Sequence, residues 1–171
     1  MENNLNAKIF RLGNIMPRQS DGKFQQNINQ NIFITALKNI YNIKMISKNM
    51  LNLNVEFSPV DECAQSIVDL LNSEGNNIYH ILNNNVISIQ KLINIFEKDS
   101  EPFKIVNNSK FVKAIEQTSD EYVKEYILST NLNKYSENIT IKELKKYNFN
   151  WSKTDESYII KILETMKGVI L

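Results

Sequence analysis

The sequence is poor in the residues that disulfides and structural metal sites require. It has one cysteine, Cys63, and one histidine, His80, among 171 residues. A lone cysteine cannot form an internal disulfide, and this pair does not provide the four ligands of a structural zinc site. We therefore expect a chain without either feature, from a reducing compartment, and interpret it as cytoplasmic.

Excess positive charge and long apolar runs are also missing. The 20 basic residues are balanced by 19 acidic residues, which leaves a net charge of +1. Nucleic acids and anionic membranes are bound by clustered positive charge, and the lysines here alternate with acids. No run of apolar residues is long enough to cross a bilayer. We expect neither a nucleic acid nor a membrane as partner.

Glycine is scarce, and its spacing excludes a complete dinucleotide site. The glycines are Gly13, Gly22, Gly75 and Gly168. No two of them can form the glycine-rich turn through which backbone amides reach a pyrophosphate. A short-chain reductase also needs a tyrosine four residues before a lysine, and no tyrosine here has that spacing. The chain alone should neither reduce a substrate nor bind a dinucleotide tightly.

Apolar residues are present in patterns that alternate between strands and helices. Short β-type runs occupy residues 7–12, 54–57, 78–82 and 103–106. Helical spacing of apolar side chains covers residues 24–41, 60–71, 89–96, 111–115, 122–127 and 158–166. Strand-helix alternation dominates up to residue 98, and helices dominate afterwards. The pattern predicts an α/β protein with parallel strands and a mostly helical C-terminal lobe, with a boundary between residues 1–98 and 99–171.

Capping residues predict where the helices begin. In the run Ser58-Pro59-Val60-Asp61, Ser58 is expected to cap a helix and Pro59 to occupy its first position. Four further helices are expected to open at Ser88, Ser109, Thr118 and Thr140.

Several segments together resemble one family. They are Arg11-Leu12-Gly13-Asn14-Ile15 with the stretch from Asp21 to Asn27 and Asn31, then Phe57 to Asp61, Tyr79 to Asn83, and Leu144 to Trp151. Their order and spacing resemble the C-terminal half of thioester reductase domains from nonribosomal peptide and polyketide synthases. These domains belong to the extended short-chain dehydrogenase/reductase superfamily.

The resemblance implies a fold and a reaction. Residues 1–98 would form the edge of a Rossmann-type parallel sheet, and residues 99–171 a helical substrate-side lobe. Family members use NADPH to reduce a carrier-bound thioester, and they release an aldehyde or an alcohol. By resemblance, the cofactor-binding residues are Leu12, Gly13, Asn14 and Ile15. The substrate-binding residues are Asn14, Asn27, Asn31, Phe57 and Asp61.

The family's glycine-rich turn and catalytic residues lie upstream of the matched region. Residues 1–6 resemble the end of the helix that carries the catalytic lysine, which leaves open whether Met1 is a natural start. The resemblance implies NADPH in the intact enzyme, with none bound to this chain. It also implies two partners: the missing N-terminal Rossmann half and a carrier protein that bears a phosphopantetheine thioester. An open edge at strand 7–12 predicts a homo-oligomer.

Other interpretations stay open. The chain could be a non-catalytic module that docks a carrier protein or another synthase domain, or a fragment of a sugar-nucleotide epimerase-like reductase. The segment from Asp21 to Asn27 and the tail around Trp151 favour the thioester reductase over the epimerase. The site residues also have purely structural interpretations. Gly13 could serve only the turn, Asn27 and Asn31 a helix surface, and Phe57 the core. Asp61 could serve only as the acid at a helix start.

Overall fold

The computed structural model describes residues 7–74, 77–129 and 139–168. The described strands are β1 (Ile9–Leu12), β2 (Ile15–Met16), β3 (Met45–Ser47), β4 (Asn54–Val55), β5 (Ser58–Pro59), β6 (Ile78–Ile81), β7 (Ile87–Ser88) and β8 (Lys104–Val106). The described helices are α1 (Ile32–Ile43), α2 (Val60–Leu71), α3 (Ile89–Phe96), α4 (Asn108–Thr118), α5 (Glu121–Ser129), α6 (Ile139–Lys145) and α7 (Glu156–Met166). The segment 1–6, with its resemblance to a catalytic helix, lies outside the described residues.

The predicted α/β class is confirmed. β1 and β6 pair in parallel, with Ile9 opposite Ile78 and Leu12 opposite Ile81. β2 with β5 and β3 with β8 are further parallel pairs, while β4 and β7 are antiparallel. Parallel neighbours need a long crossover, which the helical patterns between the predicted strands supply.

One edge of β1 is open among the described residues, because its only strand partner there is β6. Ile9 is 52% exposed and Leu12 is 45% exposed. An open parallel edge with apolar side chains is unusual, since parallel sheets are normally covered.

Two apolar clusters hold the elements together. The larger one packs α1, α3, α4, α5 and α7 around rings that include Phe33, Phe57 and Tyr158. The smaller one lies against β1 and β6 and includes Tyr79 and Trp151. Burial of each such side chain contributes about 1.5–3 kcal/mol. The larger cluster draws residues from both sides of residue 99, and the domain boundary there stays a prediction.

The predicted cap Ser88 is confirmed, but Ser58 is not a cap. Ser88 accepts a hydrogen bond from the Lys91 N–H at the start of α3. α2 begins at Val60, with Pro59 rather than Ser58 in the cap position and no side-chain cap bond. The Ser58 hydroxyl donates instead to the carboxylate of Glu56. A buried carboxylate needs donors, and that requirement outweighs the local capping preference.

Three other predicted helix starts were wrong by a few residues. Asn107, not Ser109, caps α4, and Asp120 accepts from the Val123 N–H at the start of α5. Thr118 is the last residue of α4. Thr140 lies inside α6, where its hydroxyl accepts the backbone N–H of His80. Each position has a stronger acceptor nearby or a tertiary partner, so the serine or threonine is not needed as a cap.

The first predicted helix, over residues 24–41, is divided. A 3-10 turn covers Ile28–Gln30, and α1 begins only at Ile32. Asn31 separates the two because it is extended and its side chain accepts the Ile34 N–H. An asparagine is a better cap than an interior helix residue, which explains the interruption.

Candidate functional site

The turn after β1 lies where an open α/β sheet binds ligands. The Gly13 N–H donates to the carbonyl of Ile81, the last residue of β6, at 2.8 Å. The turn therefore sits at the carboxyl ends of two parallel strands, which is the usual ligand position in such sheets.

A buried acid, Glu56, holds this turn in place. Glu56 is 2% exposed, and its carboxylate accepts the backbone N–H of Asn14 at 2.8 Å and that of Asn83 at 3.3 Å. Ser58 also donates its hydroxyl to this carboxylate. A second hydrogen bond joins the same pair: the Asn14 side-chain amide donates to the Glu56 backbone carbonyl at 3.1 Å. One side chain thus joins the end of β1 to the segment after β6.

Gly13 is required by the closeness of that acid. A Cβ on Gly13 would lie 2.7 Å from one Glu56 carboxylate oxygen and 2.8 Å from the other. Real Cβ atoms do not approach so closely, so any side chain here would displace Glu56 or the turn.

Burial raises the pKa of the Glu56 carboxyl. The hydrogen bonds from Ser58, Asn14 and Asn83 favour the charged form and oppose this rise, but they do not cancel it. The group is therefore more easily protonated than an exposed glutamate.

Tyr126 connects α5 to the turn. Its hydroxyl, on α5, donates to the Asn14 side-chain oxygen at 3.3 Å. Burial raises the pKa of Tyr126, and the nearby charge of Glu56 adds to the effect. The phenol therefore remains protonated at neutral pH and serves as a donor that orients the Asn14 amide.

An apolar cavity of about 40 Å³ opens beside Tyr126. Its walls come from α1, β4, α3, α5 and the turn between β3 and β4, and are largely apolar: Phe33, Ala36, Leu37, Ile40, Met50, Val55, Ile89, Tyr126 and Ile127. A small apolar group could be held there next to the polar Asn14 turn.

The residues assigned by resemblance fall into different surroundings. Asn31 donates its side-chain amide to the carbonyl of Ile15 at 3.2 Å, which ties α1 to the turn. Phe57 is wholly buried, with its ring 5.4 Å from that of Phe33. Asn27 is exposed and donates its amide to Gln30 at 2.5 Å. The assignment of these residues to a substrate pocket stays a prediction.

Asp61 anchors a neighbouring loop. Its carboxylate accepts the backbone N–H of Gln19 at 3.0 Å and that of Ser20 at 3.3 Å. Burial acts to raise the pKa of Asp61, but these hydrogen bonds prevail and lower it. In this structure the acid fixes the path of the chain after β2, and its predicted contact with substrate also stays a prediction.

Glu56 and Tyr126 were missed at the sequence level. A lone glutamate beside a strand gives no local signal, and Tyr126 is 112 residues from the amide that it contacts. Asn83 was noticed only as part of a resembling segment. The turn Gly13-Asn14 was assigned to the site by resemblance, and its glycine was the signal that could have indicated a close approach by another group such as Glu56.

The described residues do not favour a cysteine nucleophile, a metal site or a membrane-spanning helix. Burial raises the pKa of the Cys63 thiol to about 12, so it is a neutral thiol at pH 7 and a poor nucleophile. Within residues 7–74, 77–129 and 139–168, no three acidic, histidine or cysteine side chains form a metal site. None of the helices described there has both the length and the apolarity to cross a membrane.

No protein-family model and no curated protein matches the chain. Several solved structures do match it. A thiolation-reductase di-domain from an archaeal nonribosomal peptide synthetase is 26% identical over 97% of this chain, with a TM-score of 0.79. The reductase domain of the aureusimine biosynthetic cluster is 21% identical over 98%, with a TM-score of 0.76. The terminal R domain of the myxalamid PKS-NRPS pathway is 16% identical over 95%, with a TM-score of 0.73.

The match covers only part of each of these proteins. The chain spans 37% of the archaeal structure, 46% of the aureusimine domain and 43% of the myxalamid domain. The likenesses confirm the resemblance read from the sequence: this chain has the fold of part of a nonribosomal peptide or polyketide synthase reductase domain.

Proposed function

We propose that the chain forms the C-terminal, substrate-side part of an NADPH-dependent thioester reductase, which releases a carrier-bound acyl or peptidyl group as an aldehyde or an alcohol. The observation that carries the proposal is the turn Gly13-Asn14. Glu56 holds this turn at the carboxyl ends of β1 and β6. In addition, 97% of this chain matches the structure of an archaeal thiolation-reductase protein.

The residues present fit only one end of a dinucleotide. The turn from Leu12 to Ile15 ends at a strand edge where a nicotinamide ring could lie, but the four glycines of the chain cannot form a pyrophosphate-binding turn. When bound in the intact enzyme, NADPH would supply the hydride. The contacts to its phosphates would come from the Rossmann half outside these 171 residues.

Asn14 is the side chain best placed to contact the substrate. One of its two amide hydrogens is donated to Glu56, and its oxygen accepts from Tyr126. No acceptor within the described ranges takes the second amide hydrogen, which would be donated to a thioester oxygen. Because Glu56 and Tyr126 fix the amide from both sides, this donor would be oriented before substrate arrives, which favours catalysis.

The other assigned residues would shape the pocket rather than react. The apolar cavity beside Tyr126 suits a small apolar part of the acyl group. Asn31 and Asp61 act as positioning residues, since each is already bonded to backbone atoms. A carrier protein would present the thioester on its phosphopantetheine arm.

A chimera tests this function. The region of the archaeal thiolation-reductase protein that matches this chain would be replaced by the chain, and the thiolation domain would be loaded with an acyl group. With NADPH, we expect aldehyde or alcohol to be released. A folded chimera that binds NADPH but leaves the thioester intact would contradict the proposal. Binding of the loaded carrier without reduction would favour the docking-module alternative.

A matched pair of variants tests whether the Asn14 amide contributes to the rate of reduction. In the chimera, Tyr126→Phe removes the hydroxyl that orients Asn14, and we expect the rate of reduction to fall by about two- to tenfold with unchanged NADPH affinity. Tyr122→Phe is the control, because Tyr122 lies on the same helix and is 78% exposed. Equal effects of the two variants would argue against a role for the Asn14 amide.

A further inference from the structure

Two asparagines anchor the segment between α6 and α7 beside the candidate site. Asn83, just after β6, is 1% exposed, and its side-chain amide donates to the Ser152 carbonyl at 3.1 Å. Asn85 donates its amide to the same carbonyl at 3.1 Å and to the Trp151 carbonyl at 2.8 Å. The Ser152 N–H donates to the carboxylate of Glu62, on α2, at 3.1 Å. Both backbone groups of Ser152 are therefore bonded to side chains of other segments.

Asn83 also faces the Asn14 turn, through its backbone. Its N–H donates to the Ser58 hydroxyl oxygen at 2.9 Å and to one Glu56 carboxylate oxygen at 3.3 Å. Ser58 donates its own hydroxyl hydrogen to that carboxylate oxygen. The other carboxylate oxygen accepts the Asn14 N–H at 2.8 Å. A buried chain of hydrogen bonds thus runs from Asn83 to Asn14, and the bonds of such a chain strengthen one another.

The side chain of Asn83 fixes the direction of its backbone N–H. Besides the bond from its amide to Ser152, its side-chain oxygen accepts the Asn85 N–H at 2.8 Å. Asparagine forms this kind of local turn readily, because its side chain replaces a backbone acceptor. Since both ends of the side chain are bonded, the Asn83 backbone has little freedom to turn its N–H away from Ser58.

We propose that Asn83 is a positioning residue for the reductase reaction, which couples the segment around Ser152 to the orientation of the Asn14 turn. It acts through Ser58 and Glu56 and not by contact with substrate. Its effect on rate rests on the proposed function, but its coupling to Glu56 can be measured without substrate. The resemblance gives Asn83 no role of its own.

Asn85 provides a matched control, because it contributes to the same anchor. Asn83→Ala and Asn85→Ala each remove an amide donor from the Ser152 carbonyl. Within the described ranges, however, no hydrogen bond joins Asn85 to Ser58 or Glu56. If Asn83 served only to anchor the segment, the two substitutions would have the same consequences. If it positions the turn, only Asn83→Ala should alter Glu56.

Nuclear magnetic resonance of the full chain measures this coupling through the titration of Glu56. The hydrogen bond from Asn83 favours the charged carboxylate, so Asn83→Ala should raise the pKa of Glu56 further. The Asn14 N–H signal should change over the same pH range, because this group donates to the carboxylate. Asn85→Ala should leave both titrations as in the wild type. Identical titrations in the two variants would overturn the coupling.

A conservative variant separates the two bonds of the Asn83 side chain. Serine can still accept the Asn85 N–H, though more weakly, but it is too short to reach the Ser152 carbonyl. We therefore expect the Glu56 titration of Asn83→Ser to lie between those of the wild type and Asn83→Ala. The Cys63 thiol and the Tyr126 phenol do not interfere, since burial and then the charge of Glu56 raise the pKa of both groups.

The chimera with the archaeal protein measures the consequence for reduction. Asn83→Ala should lower kcat about two- to tenfold and leave the KM for the loaded carrier unchanged, because Asn83 does not contact substrate. Asn85→Ala should leave kcat unchanged. Equal losses of kcat in the two variants would overturn the positioning role. A chimera that binds NADPH but reduces nothing would contradict the proposed function instead, and the Glu56 titrations would still decide the coupling.

Discussion

Asn14 and Glu56 are joined twice: the Asn14 backbone N–H donates to the Glu56 carboxylate at 2.8 Å, and the Asn14 amide donates to the Glu56 carbonyl at 3.1 Å. The pair fixes the turn at the end of β1 by means of a buried acid. Buried carboxylates persist only when donors surround them, and here two backbone N–H groups and the Ser58 hydroxyl do so.

Replacement of Gly13 by alanine should destabilise the fold. The added Cβ would lie within 3 Å of the Glu56 carboxylate, and such overpacking costs about 1–3 kcal/mol. Urea unfolding of Gly13→Ala measures the loss. The control is the same substitution in a Glu56→Ala background, where the clash is absent and the cost should be close to zero. Equal costs in both backgrounds would show that Glu56 is not the cause.

Glu56→Gln should change the pH dependence of stability. Burial raises the pKa of Glu56 above its ordinary value of 4.5, so the folded protein holds this proton to higher pH than the unfolded chain does. The contribution of Glu56 is therefore greatest below about pH 4.5 and is lost as pH rises through the raised pKa. Measured from pH 4.5 upward, wild-type stability should fall relative to the variant. A difference that is constant or of opposite slope would refute this assignment.

For Asp61→Asn, the stability of the wild type relative to the variant should rise with pH, which is opposite to the trend for Glu56→Gln. Burial acts to raise the pKa of Asp61, but hydrogen bonds from Gln19 and Ser20 outweigh it and hold the pKa below its ordinary value of 3.8. Its stabilisation is present above pH 3.8 and is lost as pH falls through the lowered pKa. At neutral pH we expect the variant to be less stable by about 1 kcal/mol, after allowance for its partial exposure to solvent. A loss of stability that persists unchanged at pH 3 would contradict the role of charge.

The order of strands and helices could be predicted because it depends on local patterns. The β1 and β6 segments are recognised by their alternating apolar residues, and Ser88 by its place before an apolar helix. The details of the candidate site depend on tertiary contacts instead. Ser58 has the sequence context of a cap, yet a buried acid two residues earlier engages its hydroxyl. Tyr126 and Asn14 are 112 residues apart in sequence and meet only in the tertiary fold.

The open edge of β1 should cause self-association. The backbone groups on this edge, which have no strand partner in the part of the chain that the structure describes, lie beside Ile9 and Leu12, and exposed strand edges recruit other strands. We expect a homodimer or a larger species in light scattering coupled to size exclusion. Ile9→Lys should shift the equilibrium toward monomer, because an edge lysine opposes strand pairing.

Ile160→Lys provides the control for that experiment. Ile160 is 42% exposed, similar to Ile9, but it lies on α7. This variant should associate as the wild type does. A wild-type monomer at every concentration, with β1 protected from hydrogen exchange, would show that the chain completes its own sheet.

We propose that this chain carries the substrate side of a reductase, while the contacts that hold the cofactor tightly lie elsewhere. Calorimetric titration with NADPH tests it most directly. For the chain alone, we expect binding no tighter than about millimolar, or roughly 4 kcal/mol. The chimera with the archaeal Rossmann half should bind much more tightly. A micromolar dissociation constant for the chain alone would contradict the account.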